Sequence, residues 1–276
     1  MAEGSADTRS NGGDAEAAAP ADHRAAAMEA ATNGEAEPGP EANGASGAAP
    51  AADAGGGDDG DGGGDSDESA APTDDERLVR ARRLEREGAI SDAIEIYREL
   101  LLEDPSNVRA HNNLGVLYDR IGDHERALEQ YEAAHAAAPE DVGVLTNMGA
   151  ALGVLQRYAD AERYLRRAQR LDPRRADVYA NLGILHFKRG LYSQAETDLR
   201  RALDLDPEHG TAYFYRGEAL NRLGRVDEAL DMLRNAVRFE PNNAKAYYTM
   251  GIIYDKKHLR DQAEAMYRRA REAGAV

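Results

Sequence analysis

One segment recurs through this chain at a fixed interval of 34 residues, and that interval restricts the fold more than any other property of the sequence. NNLGVLYDRIGDHERAL starts at Asn112, and related segments start at Thr146, Ala180, Phe214 and Tyr248. Prolines keep the same step at Pro105, Pro139, Pro173, Pro207 and Pro241. A unit closed just after each proline gives six repeats, at residues 74–107, 108–141, 142–175, 176–209, 210–243 and 244–276. Apolar residues within each unit fall at helical spacing. A unit this short cannot bury its apolar face alone, so successive units must stack on one another.

The glycines say how each unit is built. Gly115, Gly149, Gly183, Gly217 and Gly251 interrupt the first helical stretch, where glycine costs about 1 kcal/mol relative to alanine. Their recurrence implies a close approach of two antiparallel helices, with Ala127, Ala161, Ala195, Ala229 and Ala263 as small residues on the second helix. Gly88, Gly122, Gly190 and Gly224 fall between the helices, where a left-handed backbone suits glycine. Gln156 and His258 replace that glycine, so those two turns are expected to differ. Each proline disfavours helix at the residue before it and ends the second helix.

These residues resemble the tetratricopeptide repeat (TPR) family, whose signature is W-x2-L-G-x2-Y, then A-x3-F, then P. The second repeat carries Leu114, Gly115, Tyr118, Ala127, Tyr131, Ala134 and Pro139 at the signature places. His111 takes the place of the tryptophan there, and Tyr179, Tyr213 and Tyr247 take it later. The resemblance spans residues 74–276 and implies an all-α, right-handed superhelical solenoid of six helix-turn-helix repeats. Arg77, Arg80 and Ala81 depart from the pattern in the first repeat, as a polar terminal cap would. In the last repeat, Glu264 and Arg271 stand where Leu230 and Leu203 stand in inner repeats, so that end is partly self-capped or open to a dimer contact.

Charge separates the rest of the chain from the repeats. Residues 1–73 hold sixteen acids against Arg9 and Arg24, a net of −14, while the remainder is near neutral at −3. That acidic stretch, rich in Ala, Gly and Asp, has no Leu, Ile, Val, Phe, Tyr or Trp and is expected to be disordered. Neither a secretory leader nor an apolar run long enough for a membrane span is found, so a cytoplasmic protein is expected. With no cysteine, thiol nucleophiles, disulfides and cysteine-held metals are excluded.

The search for chemistry finds no catalytic, cofactor-binding or metal-ligating set. His111 and His186 fall on helix-packing positions, and the HERAL segment at His124 lacks the second histidine of a zinc-protease helix. A calcium loop begun at Asp59 would need ligands at Gly63 and Ala70. Arg166, Arg200 and Arg268 follow Glu162, Glu196 and Glu264 by four residues, the order that favours ion pairs within a helix. With acids interleaved among the bases, nucleic acid is not an expected partner.

The resemblance implies ligand binding on the concave face, lined by the first helix of each repeat. Helical spacing directs repeat positions 2, 5, 6, 9, 12 and 13 inward. Position 6 is Asn113, Asn147 and Asn181 in three successive repeats. Such amides can serve a ligand backbone in this family, since an amide both donates and accepts; equally, they can link repeats. Further along, Ile184, Phe187, Phe214, Tyr215, Tyr248 and Ile252 form an apolar stretch. Core packing is not expected to need Ile184, Phe187, Phe214, Tyr248 or Ile252, because Tyr213, Tyr247, Gly217 and Gly251 hold the packing positions. Arg86, Arg120, Lys188, Arg222 and Lys256 end first helices and would form a basic rim.

The carboxylate clamp of chaperone-binding TPR proteins is missing: its five places hold Leu78, Arg82, Asn113, Gly143 and Asn147. A chaperone C-terminal tail is therefore not the expected partner. The expected function is a non-catalytic scaffold that binds a peptide or protein segment in the concave groove. The alternatives are a regulatory subunit of an enzyme complex and a structural array assembled through the terminal repeats.

Overall fold

Five of the six first helices begin where a capping side chain takes up a free backbone N–H, the exception being the one that follows Arg175. Thr73 opens the first repeat with a capping box: its hydroxyl accepts from the Glu76 N–H, and the Glu76 carboxylate accepts from the Thr73 N–H. Asn107, Asp141 and Asn243 accept from the N–H three residues on, and His209 does so through Nδ1. A computed structural model describes residues 73–274 of the protein. The reading of the acidic N-terminal segment as disordered falls outside the described residues.

Among the described residues the chain is helical throughout, in twelve helices that pair along the sequence. The pairs are α1 (Asp74–Glu87) with α2 (Ile90–Glu103), α3 (Val108–Arg120) with α4 (His124–Ala137), and α5 (Val142–Val154) with α6 (Tyr158–Leu171). They continue as α7 (Ala176–Lys188) with α8 (Tyr192–Leu205), α9 (Gly210–Arg222) with α10 (Val226–Phe239), and α11 (Ala244–Lys256) with α12 (Arg260–Gly274). The fold is an all-α TPR solenoid. Among the described residues no helix is long and apolar enough to cross a membrane.

The two helices of a pair touch where the glycines stand. A Cβ added to Gly149 would lie 2.5 Å from Leu165 Cγ, and one added to Gly115 would lie 2.5 Å from Tyr131 Cε1. Gly183, Gly217 and Gly251 face Leu199, Leu233 and Tyr267 in the same way. Glycine is therefore kept in mid-helix because repeat position 24 of the second helix occupies the space a side chain would need.

The turns correct one expectation. Gly88, Gly122, Gly190 and Gly224 have φ between 75° and 82°, but Gln156 and His258 adopt the same left-handed conformation, with φ of 58° and 59°. Those turns do not differ. The packing of one helix on the next holds the backbone in place, and the two side chains bear the strain.

Stacking between pairs is both apolar and polar. Buried residues run continuously from Leu78 to Leu185, and then through the last three pairs. Arg98 donates to the Tyr118 hydroxyl of the next repeat at 2.8 Å, and Arg234 donates to that of Tyr254 at 3.0 Å. The ion pairs expected within helices are realised only for Arg166 and Glu162, at 3.9 Å. Glu196 is instead buried between repeats and accepts from Arg216 at 2.9 Å, because burial leaves a cation of the next repeat as its nearest partner. Arg200 and Arg268 form no ion pair among the described residues.

Candidate functional site

Positions 2, 6, 9, 12 and 13 of successive first helices converge on one cavity of about 130 Å³. Position 6 contributes Asn147, Asn181 and Tyr215, and position 9 contributes Val116, Ala150 and Ile184. Arg120 and Lys188 come from position 13, and Asp177, Thr211 and Lys245 from position 2. These residues belong to five consecutive repeats. The helical period brings them to one side, and the stacking of α3, α5, α7, α9 and α11 brings them together.

The asparagines do different things. Asn147 Nδ2 donates to Asn112 Oδ1 of the preceding repeat at 2.9 Å, so it links two repeats while lining the cavity. Asn181 lines the cavity with no such bond to a neighbour among the described residues. Asn113 is half-buried, with its Nδ2 shut off from solvent, and lies outside the cavity.

Electrostatically the cavity is unbalanced. Asp119 is buried there, accepting from the Tyr131 hydroxyl at 2.8 Å and held to His124 Nδ1 at 2.9 Å. Burial pushes the Asp119 carboxyl above its ordinary value and the Tyr131 hydroxyl well above its own. Asp177 is engaged by Arg175 at 2.5 Å, which raises the guanidinium further. Both carboxylates are thus satisfied within the fold. Arg120, Lys188 and Lys245 form no ion pair among the described residues, which leaves three positive charges facing the cavity.

The aromatics divide. Tyr215 lines this cavity, whereas Phe214 and Tyr248 line a second cavity of about 760 Å³ toward the last repeat, with Tyr267. Phe187 lies 5.5 Å from the Tyr215 ring and 5.6 Å from that of Tyr192, and Phe214 lies 5.1 Å from Tyr215. Phe187, Phe214 and Tyr215 are half-buried and pack against the core, which for the two phenylalanines corrects the expectation that packing does not need them. The reason is position. Phe214 is at position 5, where Thr146 and Ala180 are only 2% exposed, so that position lies between neighbouring first helices; Phe187, at position 12, instead packs on the Tyr192 and Tyr215 rings.

Ile252 is half-buried and lines neither cavity. Arg86, Arg222 and Lys256 are exposed at helix ends outside both, with Arg86 Nε donating to the Arg82 carbonyl at 3.3 Å. Lys245 holds the inward position 2, but as a lone lysine in a run of alanines and tyrosines it carries no periodic signal in the sequence.

The histidines are tied to packing neighbours. His111 spans Gln130 and the Pro105 carbonyl, and buried His186 sits 2.7 Å from Asp198 and 3.7 Å from Glu162. His209 caps α9.

Comparison with known proteins agrees with this architecture. Among solved structures, PilW, described as a widely conserved type IV pilus biogenesis factor, superposes with a TM-score of 0.64 at 21% identity, over 71% of this chain and 91% of that one. A tetratricopeptide repeat protein from Parabacteroides merdae gives a TM-score of 0.62 at 20% identity, over 73% and 78% of the two chains. PilF of Pseudomonas aeruginosa gives 0.60 at 23%, over 70% and 88%. At these identities the likeness concerns the fold alone. No curated protein matches the chain. Residues 15–276, nearly the whole sequence, match the family described as the Cilia and flagella-associated protein 70 C-terminal domain, and with its repeats, glycine crossings and stacked helix pairs on view, the chain belongs to that TPR family.

Proposed function

We propose that residues 74–276 act as a non-catalytic interaction domain whose concave groove holds an extended peptide or protein segment bearing acidic residues. The supporting observation is the set Arg120, Lys188 and Lys245, which face one cavity without a carboxylate partner while Asp119 and Asp177 are satisfied internally. These three cations are exposed at the cavity wall without an internal counter-ion among the described residues, and such unpaired charges favour a ligand that brings the opposite charge. Asn181 supplies an amide for the ligand backbone, and Ile184 and Tyr215 supply apolar floor. The domain works in the cytoplasm; the family's name, from a cilia- and flagella-associated protein, makes a ciliary or flagellar location the alternative, which imaging of a tagged chain decides.

A displayed library of random extended peptides, panned against the full chain, tests the reading. Selected peptides should be rich in Asp and Glu and should be lost on Lys188→Glu together with Lys245→Glu. Retention of the same peptides by that double variant would overturn it.

A further inference from the structure

Among the described residues, the last helix pair leaves uncovered a face that every earlier pair buries. At repeat position 27, Ala134, Ala168, Ala202 and Ala236 are 0% exposed. At position 24, Leu165, Leu199 and Leu233 are buried in the same way. In the last pair the corresponding Ala270 and Tyr267 are only half-buried, and Tyr248 at position 5 is 56% exposed, against 2% for Thr146 and Ala180. These three residues, with Phe214, Glu218 and Arg271, wall the cavity of about 760 Å³, which can hold several side chains.

The molecule itself shows what covers such a face. Each interior copy is covered by the first helix of the following repeat, whose positions 3, 7 and 10 are buried in return, save for half-buried Arg216 at position 7 of α9. They are Ala110, Leu114 and Leu117 in α3, Val144, Met148 and Ala151 in α5, and Val178, Leu182 and Leu185 in α7. A helix with small or aliphatic residues at i, i+4 and i+7 is thus the shape and chemistry that fits.

The polar part of the wall asks for one thing more. Glu218 Oε1 is closed off from solvent and has no hydrogen-bond partner. An enclosed acceptor left unpaired is costly, so a donor on the incoming helix is favoured there. A second copy of this chain, continuing the array head to tail, fits poorly. Its α1 would present Glu76, Arg80 and Arg83 at positions 3, 7 and 10, all exposed and charged.

We propose that the α11–α12 end of the solenoid docks one amphipathic helix of a partner protein, in the register that the next repeat's first helix takes inside the molecule. This surface touches the groove cavity only at Lys245, which lines both, and its apolar wall of Phe214, Tyr248, Tyr267 and Ala270 stands independently of the acidic-segment reading.

Fluorescence anisotropy on the full chain tests it, with helix-stapled peptides as probes. One carries residues 176–189, with Val178, Leu182 and Leu185 on its apolar face; the control carries residues 74–88, with Glu76, Arg80 and Arg83. The first should bind and the control should not. Ala270→Glu should weaken the first by about tenfold or more, and Tyr248→Ala should weaken it too, with melting temperatures unchanged. Lys188→Glu, in the groove, should leave it intact. Equal binding of both peptides, binding of neither, or loss on Lys188→Glu with retention on Ala270→Glu would overturn the proposal. So would a dimer in sedimentation that Ala270→Glu dissolves, which would assign the face to a second copy.

Discussion

The Tyr131 hydroxyl donates to Asp119 Oδ2 at 2.8 Å, joining the two helices of the second repeat from positions 24 and 12. The same pair recurs as Tyr97 with Glu85 at 2.5 Å and as Tyr267 with Asp255 at 2.7 Å. Where position 24 is Leu165, Leu199 or Leu233, position 12 is Gly153, Phe187 or Asn221, and the acid is gone. A buried phenol needs an acceptor and a leucine does not, so the two positions change together within one chain.

Tyr131→Phe should therefore destabilise the protein by about 1–3 kcal/mol in urea denaturation, because buried Asp119 keeps only His124. An unchanged midpoint would show that the bond contributes nothing net.

The same carboxylate has a pH signature. Burial raises the Asp119 pKa in the folded state, so the native protein holds that proton more tightly than the unfolded chain. The site's contribution is then fullest below the ordinary aspartate value and is lost as pH rises through the folded value. Asp119→Asn keeps an acceptor for Tyr131 and removes the titration. Its stability relative to the parent should rise as pH climbs from the ordinary aspartate value through the raised folded-state value. A difference that stays flat across that range would refute the assignment.

Gln156→Gly and His258→Gly should each stabilise by about 0.5–1 kcal/mol, since both residues hold a left-handed backbone at φ near 60°. Loss of stability in either variant would mean that its side chain, not its backbone, matters at the turn.

Gly183→Leu should cost about 1–3 kcal/mol or more, because the new side chain must enter the space of Leu199. Unfolding should also become less cooperative, as coupling runs mainly between neighbouring repeats. An unaltered transition would place Gly183 away from the helix crossing.

Asn147→Ala and Asn181→Ala should separate packing from binding. The first breaks the link to Asn112 and should lower stability by about 1 kcal/mol. The second should leave the melting temperature in place and weaken capture of acidic peptides. Equal effects on stability would show that both amides serve the repeat stack.

What the sequence by itself determined is the part of the structure that lies within one repeat. The period of 34, the caps at Asn107, Asp141 and Asn243, and the glycines at the crossings and turns each act within a few residues or between two adjacent helices. The helix pairs, the inward face and the convergence of Asn147, Asn181 and Ile184 were legible for that reason. The tertiary structure decided everything that depends on how one pair rotates against the next. It turned Glu196 from Arg200 to Arg216, gave Asn147 a partner in Asn112, and sent Phe214 and Tyr248 to a different cavity from Tyr215. That rotation is set by the summed packing of many side chains across the interface, and no spacing along a single repeat encodes it.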